Sequence, residues 1–307
     1  MSSPELATEI CGVALEHPIV NGSGTLDALV AGTLGLSAFV TKTVTLHPRA
    51  GNPPPRIAET PSGMVNSIGL ANPGLDAFCE RHLPRLAELG VPLVVSVGGW
   101  SREEYATAVS RIGAHPAVAA IELNVSCPNV DTGCISIGTD PDETRALLQR
   151  CTAETEKPLL AKLSPSVADV AAIASAAAEG GARGLVLINT VRGMALDRNT
   201  LRPLLGGGGG GLSGPAIKPV ALHAIFHCHA ATGLPIIGMG GVESAQDCLE
   251  FLAAGASVVA VGTALFRDPG IPARLVEELR DLLRARAVCT VDDVVGLAHL
   301  DHSKAQV

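Results

Sequence analysis

The sequence predicts an α/β fold, a (β/α)8 TIM barrel with long loops on its C-terminal face. Three observations carry this. Eight short apolar runs, each bounded by turn residues, recur along the chain; helical patterns with start and stop signals lie between them; and 307 residues exceed the about 250 that such a barrel commonly needs. A doubly wound open sheet is the competitor, but it usually has fewer strands.

The strands follow in order. They are PIVNG from Pro18, SAFVTK from Ser37, PLVVSV from Pro92, AAIELN from Ala119, PLLAKL from Pro158, GLVLIN from Gly184, LPIIGM from Leu234 and SVVAVG from Ser257. Each is too short for a helix and rich in β-branched residues, with apolar side chains at consecutive positions. That is the pattern of strands covered on both faces.

Between them, SREE from Ser101 is a capping box, and DPDE from Asp140 offers an N-cap, a first-turn proline and an acid at N3. SVADVAAIASAAAEGG from Ser166 predicts an Ala-rich helix closed by glycine, and ESAQDCLEFLAAG from Glu243 has the same shape. The remaining length falls in three long connections, 43–73, 125–140 and 190–214, each after a strand. In a barrel those loops share the C-terminal rim, where active sites lie. No linker breaks the chain, so residues 1–307 are expected to form one domain. The glycine run 206–211 reads mostly as flexible surface loop.

Composition narrows the function. With 47% hydrophobic but only 2% aromatic residues, the core must be aliphatic. A net charge of -8 argues against nucleic-acid binding. The 8 cysteines show no CxxC pair or regular framework. MSSPELATEI has no basic n-region followed by an apolar h-region, and no apolar run reaches the ~18 residues of a membrane span. A reduced, cytoplasmic location is the expectation.

Several residues stand out from this background. GMGGVES and VGTALF follow the seventh and eighth strands, where glycine turns let backbone amides approach a phosphate. Gly214 precedes a helix opened by Pro215 and is the better site candidate within the glycine-rich stretch. Of 5 lysines, Lys42 and Lys162 sit at strand ends among apolar neighbours, where a lysine is rarely buried without a partner. Asn66, Asn124, Asn129 and Asn189 recur near the rim, and amides suit a ring with alternating donors and acceptors. HAIFHCH from His223 lacks an acidic partner and reads as a helix away from the rim, so no metal site is expected. Spacing alone leaves Cys127, in ELNVSCPN, divided between buried thiol and reactive group.

Taken together, GNPPPRIAETPSGMVNSIGLANPG, ELNVSCPNVDTG, KLSPSV, INTVRGMALD, GGLSGPAIKP, PIIGMGG and VAVGTALF resemble, in one order over residues 18–268, the class 1 dihydroorotate dehydrogenases. The loop GNPPPRIAETPSGMVNSIGLANPG looks most like subclass 1B. The resemblance implies an FMN-containing barrel that oxidises dihydroorotate to orotate, with Cys127 as the base. It implies substrate contacts at Lys42, Asn66, Ser67, Ile68, Gly69, Leu70, Asn124, Asn129, Asn189 and Thr190. FMN contacts are implied at Ser23, Thr25, Lys42, Thr43, Ser96, Asn124, Lys162, Ile188, Gly214, Gly240, Gly241, Gly262 and Thr263.

Two departures bear on these contacts. NGSGTLD replaces the family's usual pattern after strand one, and Ser96 stands where asparagine is common. Resemblance to subclass 1B also implies a homodimer core and a partner subunit carrying FAD and a 2Fe–2S cluster that delivers electrons to NAD+. This chain has neither a dinucleotide fingerprint nor four-cysteine cluster spacing. Rival readings are a fumarate-reducing class 1A enzyme, a dihydropyrimidine dehydrogenase subunit, a tRNA-reducing flavin barrel and a flavin-binding scaffold.

Overall fold

The computed structural model describes residues 3–126 and 137–300. Eight parallel strands form the central sheet: β3 (Ile19–Asn21), β4 (Phe39–Val40), β7 (Leu93–Val97), β8 (Val118–Asn124), β9 (Leu159–Lys162), β10 (Gly184–Leu187), β13 (Ile236–Met239) and β14 (Val258–Val261). Their order is β3-β14-β13-β10-β9-β8-β7-β4, as expected for a (β/α)8 barrel. All eight runs read from the sequence are among them.

Closure between β3 and β4 depends on a side chain. Asn21, fully buried, donates from Nδ2 to the Val40 carbonyl at 2.8 Å and accepts the Val40 amide on Oδ1 at 2.8 Å. Its carboxamide therefore stands in for a peptide unit of the missing ladder. A third bond runs from Nδ2 to the Gly22 carbonyl at 3.0 Å.

Alternation along each strand sorts side chains into two layers. Residues such as Val20, Val40, Val94, Ala120, Leu160, Val186, Ile237 and Val258 pack together inside the barrel. Their neighbours, among them Ile121, Leu159, Ala161 and Leu185, join the larger core under the helices. An N-terminal hairpin, β1 (Thr8–Ile10) with β2 (Val13–Leu15), adds Ile10 and Leu15 to the inner layer. Its two-residue turn, Cys11 and Gly12, has φ of 52° and 83°, the twist favoured between antiparallel strands.

The helices include α1 (Arg102–Gly113), α2 (Pro141–Thr152), α3 (Val170–Glu179), α4 (Lys218–Thr232), α5 (Ala245–Ala253) and α6 (Ile271–Ala285). Ser101 caps α1 through the Glu104 amide, but the Glu104 carboxylate takes the Trp100 amide, so only half of the expected capping box forms. Asp140 caps α2 as expected. α3 begins four residues later than Ser166 suggests, because Asp169 caps it through the amides of Ala171 and Ala172. The Ser244–Asp247 capping box of α5 is complete.

The rim holds a second sheet where the sequence suggested only loops. β5 (Ile57–Thr60), β6 (Gly63–Asn66), β11 (Val191–Gly193) and β12 (Gly210–Ser213) pair antiparallel in the order β11-β12-β6-β5. The glycine run is thus partly strand rather than flexible loop. A Cβ on Gly210 would meet the Asn66 carbonyl carbon at 2.8 Å, and one on Gly206 would meet Pro53 at 2.8 Å. Glycine is needed there because neighbouring backbone approaches so closely.

Candidate active site

The C-terminal ends of the barrel strands and the rim sheet enclose a cavity of about 310 Å³. At about 300–1,000 Å³, a pocket is large enough for a small-molecule ligand. Lys42 and Lys162 both line it, with the amides of Asn66, Asn124 and Asn189.

Lys162, the last residue of β9, is 3% exposed. Its ammonium lies 3.7 Å from Glu122 Oε1, and Glu122 is 2% exposed on β8. A partner for this lysine is therefore supplied by the protein, from a residue that a continuous apolar strand pattern conceals. Glu122 also accepts the Ser96 hydroxyl at 2.6 Å, a length typical of a hydrogen bond to an ionised carboxylate. Ser96 is 2.9 Å from Thr43 Oγ1, which accepts Asn124 Nδ2 at 3.0 Å. Ser96 itself lies behind the cavity wall rather than on it.

The asparagines converge. Asn189 Nδ2 donates to Ser126 Oγ at 2.9 Å, and Ser126 Oγ donates to Asn124 Oδ1 at 3.1 Å. Tyr105, on the buried face of α1, fixes the Asn124 backbone by donating to its carbonyl at 2.8 Å. Thr190 lines the same wall, and its backbone amide donates to Asn189 Oδ1 at 2.8 Å.

The segment after β6 is held in an unusual shape. Gly69 and Leu70 both have positive φ, 71° and 55°, which turns Asn66, Ile68, Gly69 and Leu70 toward the cavity. A Cβ on Gly69 would meet the Asn52 backbone nitrogen at 2.6 Å, and Arg49 Nε ties down the Gly69 carbonyl at 3.2 Å. Ser67 points the other way: it is buried and accepts Asn52 Nδ2 at 2.8 Å.

Gly214, Gly240, Gly241, Gly262 and Thr263 line the opposite end. Gly214, Gly240 and Gly241 take φ of 97°, 127° and 87°, values that side chains rarely allow. Thr263 Oγ1 donates to Ser213 Oγ at 2.7 Å. The nearby Lys218 is engaged by Asp247 and Glu250. Burial lowers its pKa, but those bonds outweigh it and hold the ammonium above the usual lysine range. An anion at this end therefore meets backbone and hydroxyl groups rather than a spare lysine, as phosphate turns at strand ends do.

Ser23, Thr25, Thr43 and Ile188 also line the cavity. Ser23 bonds the Thr41 carbonyl at 2.8 Å and Thr25 the Gly22 carbonyl at 2.7 Å, so both hydroxyls survive the altered loop in structured positions. Cys127 and Asn129 lie outside the described residues. Ile57, Met64, Met239 and Phe266, which carry no signal in the sequence, add apolar wall. Burial pushes the Cys11 thiol up to about 11 and those of Cys151 and Cys228 to about 12; Cys79 and Cys248 are also pushed up by burial. Thiols so raised are poor bases near neutral pH.

A family model described as dihydroorotate dehydrogenase matches residues 5–283. The chain is 47% identical over 298 residues to the dihydroorotate dehydrogenase B (NAD(+)) catalytic subunit of Desulforudis audaxviator, covering 95% of this chain and 97% of that one. It is 45% identical over 294 residues to the protein of the same name from Listeria monocytogenes, covering 94% and 97%. A crystal structure of DHODH from Eimeria tenella in complex with ferulenol superposes with a TM-score of 0.81 at 24% identity, over 97% of this chain and 89% of that one, and shares the fold.

Proposed function

From the premise that the chain belongs to the dihydroorotate dehydrogenase family, we propose that it oxidises (S)-dihydroorotate to orotate in de novo pyrimidine biosynthesis. The observation that carries this reading is the convergence of two lysines and three asparagine amides on one cavity, opposite a glycine-lined end. A ring carrying a carboxylate and alternating N–H and C=O groups needs that donor and acceptor set.

The whole chain, residues 1–307, is read as one FMN-binding barrel domain. The residues present fit FMN: glycines 214, 240 and 241 line the cavity end with positive φ and no side chain, so their backbone can approach an anion, and with Gly262 and Thr263 they would hold the phosphate. Ser23, Thr25, Lys42, Thr43, Asn124, Lys162 and Ile188 would contact the ring system, with Ser96 supporting Thr43 from behind. Bound flavin supplies the acceptor for the hydride that leaves C6 of the substrate. Lys162 supplies positive charge to the cavity wall, where it stabilises negative charge that develops during reduction.

Lys42, the 66–70 segment, Asn124, Asn189 and Thr190 orient the substrate, with Asn129 as a further contact. Cys127 takes the proton from C5, leaving the C5=C6 double bond of orotate. A thiol does this well only if shielded and brought toward working pH. The electrons then pass to NAD+ through a partner subunit carrying FAD and a 2Fe–2S cluster, around a homodimeric core in the cytoplasm. Among the described residues, no helix is long and apolar enough to cross a membrane.

The test is an acceptor panel. Purified protein is expected to be yellow, to release FMN on denaturation, and to reduce an artificial dye with dihydroorotate. NAD+ reduction is expected only with the partner added. Protein that neither contains nor takes up flavin refutes the reading, and full turnover by Cys127→Ala removes the cysteine from the chemistry.

A further inference from the structure

We infer that Glu122 is a positioning residue that sets the charge and the hydrogen-bond polarity of the cavity wall facing the flavin, an inference that rests on the flavin reading above. Glu122 touches no part of the cavity surface, yet two lines of contact run from it to groups that do.

The first is electrostatic. Glu122 and Lys162 are both almost completely buried, and their charged atoms lie 3.7 Å apart. This separation exceeds a hydrogen-bond length, so the carboxylate counter-charges the ammonium without using its protons. Those N–H donors remain for a ligand in the cavity that Lys162 lines. A buried pair of this kind is weak evidence of stabilisation, because apolar residues of similar size often serve a fold as well or better. Its place directly behind a ligand cavity points instead to control of the local field.

The second is a chain of hydrogen bonds with a single direction. Ser96 has one proton and gives it to Glu122 at 2.6 Å. Thr43 Oγ1, 2.9 Å from Ser96 Oγ and 3.3 Å from Ser23 Oγ, donates over the shorter contact, to Ser96. With its proton used, Thr43 Oγ1 accepts Asn124 Nδ2 at 3.0 Å. Asn124 therefore keeps Oδ1 for Ser126 and Asn189. Each donor points toward the carboxylate, so the chain from Glu122 reinforces the Asn124 orientation that the Ser126 backbone amide also selects by donating to Oδ1 at 3.4 Å. An amide orientation that is otherwise ambiguous becomes fixed by its partners.

Reductive titration of the FMN-loaded protein tests this. Glu122→Gln keeps the shape and removes the negative charge, leaving Lys162 uncompensated. Reduced flavin is then expected to be favoured over oxidised flavin at least tenfold more than in the wild type, a shift of about +30 mV for a two-electron couple. Glu122→Asp retains the charge and is expected to move back toward the wild-type value. A loaded Glu122→Gln variant with an unchanged or more negative potential overturns the inference.

If Glu122→Gln does not fold or load, the double variant Glu122→Gln, Lys162→Gln decides through thermal melting. Recovery toward the wild-type melting temperature supports the pairing, and a double variant no more stable than the single one overturns it. Wild-type protein that binds no flavin refutes the functional reading instead, and the melting comparison still judges the pair.

Discussion

Replacing Asn21 by alanine should open the barrel at its one seam without a ladder. The substitution removes three hydrogen bonds, two to Val40 and one to Gly22, worth about 1 kcal/mol each net. It also leaves the Val40 amide and carbonyl unpaired in a region where Val40 is 2% exposed, and each orphaned group costs about 1–3 kcal/mol. The two contributions overlap, and water entry relieves part of the second, so a net loss of about 4 kcal/mol is expected. For 307 residues, an unfolding entropy of about 2.1 cal/mol/K per residue makes this a fall of about 6 °C in melting temperature. Asn21→Asp should be no better, since an oxygen would face the Val40 carbonyl where Nδ2 now donates at 2.8 Å. Circular dichroism melts of both variants at one scan rate provide the assay. A fall below about 2 °C for Asn21→Ala would show that the seam is held by its other contacts, such as the Ser37 amide on the Ile19 carbonyl and the packing of Phe39, and not by the carboxamide.

Gly211→Ala would place a Cβ 2.6 Å from Thr190 Cβ, so Thr190 must shift. We expect folded protein whose KM for dihydroorotate rises about tenfold, near 1.4 kcal/mol of binding, and steady-state kinetics reporting an unchanged KM would exclude Thr190 from the substrate wall. His229 is held below the usual histidine range by burial first and by the neighbouring His299 second, with the Gly255 backbone opposing. The folded state thus favours neutral His229, so its contribution is fully present above about pH 6.5 and is lost as the pH falls through the lower folded value. The drop in melting temperature between pH 7 and pH 5 should accordingly be smaller in His229→Gln; an equal drop would place the acid sensitivity elsewhere, for example at His17, which burial also lowers.

The barrel was readable because its strands are local and doubly covered. PLVVSV or SVVAVG can hardly be anything else between helices with clear caps. The rim sheet was hidden for the opposite reason: β6 and β12 pair Asn66 with Gly211 across 145 residues of chain, and Gly210–Ser213 carries almost no strand propensity of its own. In the site, Lys42, Lys162 and the asparagines showed themselves as polar residues ending apolar runs. Glu122 did not, because one acid within AAIELN reads as an outward-facing position. Its inward placement follows from the Ser96 hydroxyl and the Lys162 ammonium on neighbouring strands. Asn21 was likewise invisible, since the need for a surrogate peptide group arises only when the first and second strands meet.

The N-terminal hairpin has a consequence for traffic. Ile10 and Leu15 press into a barrel interior already filled by Val20, Val94, Leu160 and Val258, so the route through the floor is shut. Molecules using the cavity must arrive and depart by the rim. Substrate and product then share the same doorway, and a new substrate cannot enter until the product has gone. Electrons are the exception: they need no doorway, and can leave while the doorway is occupied.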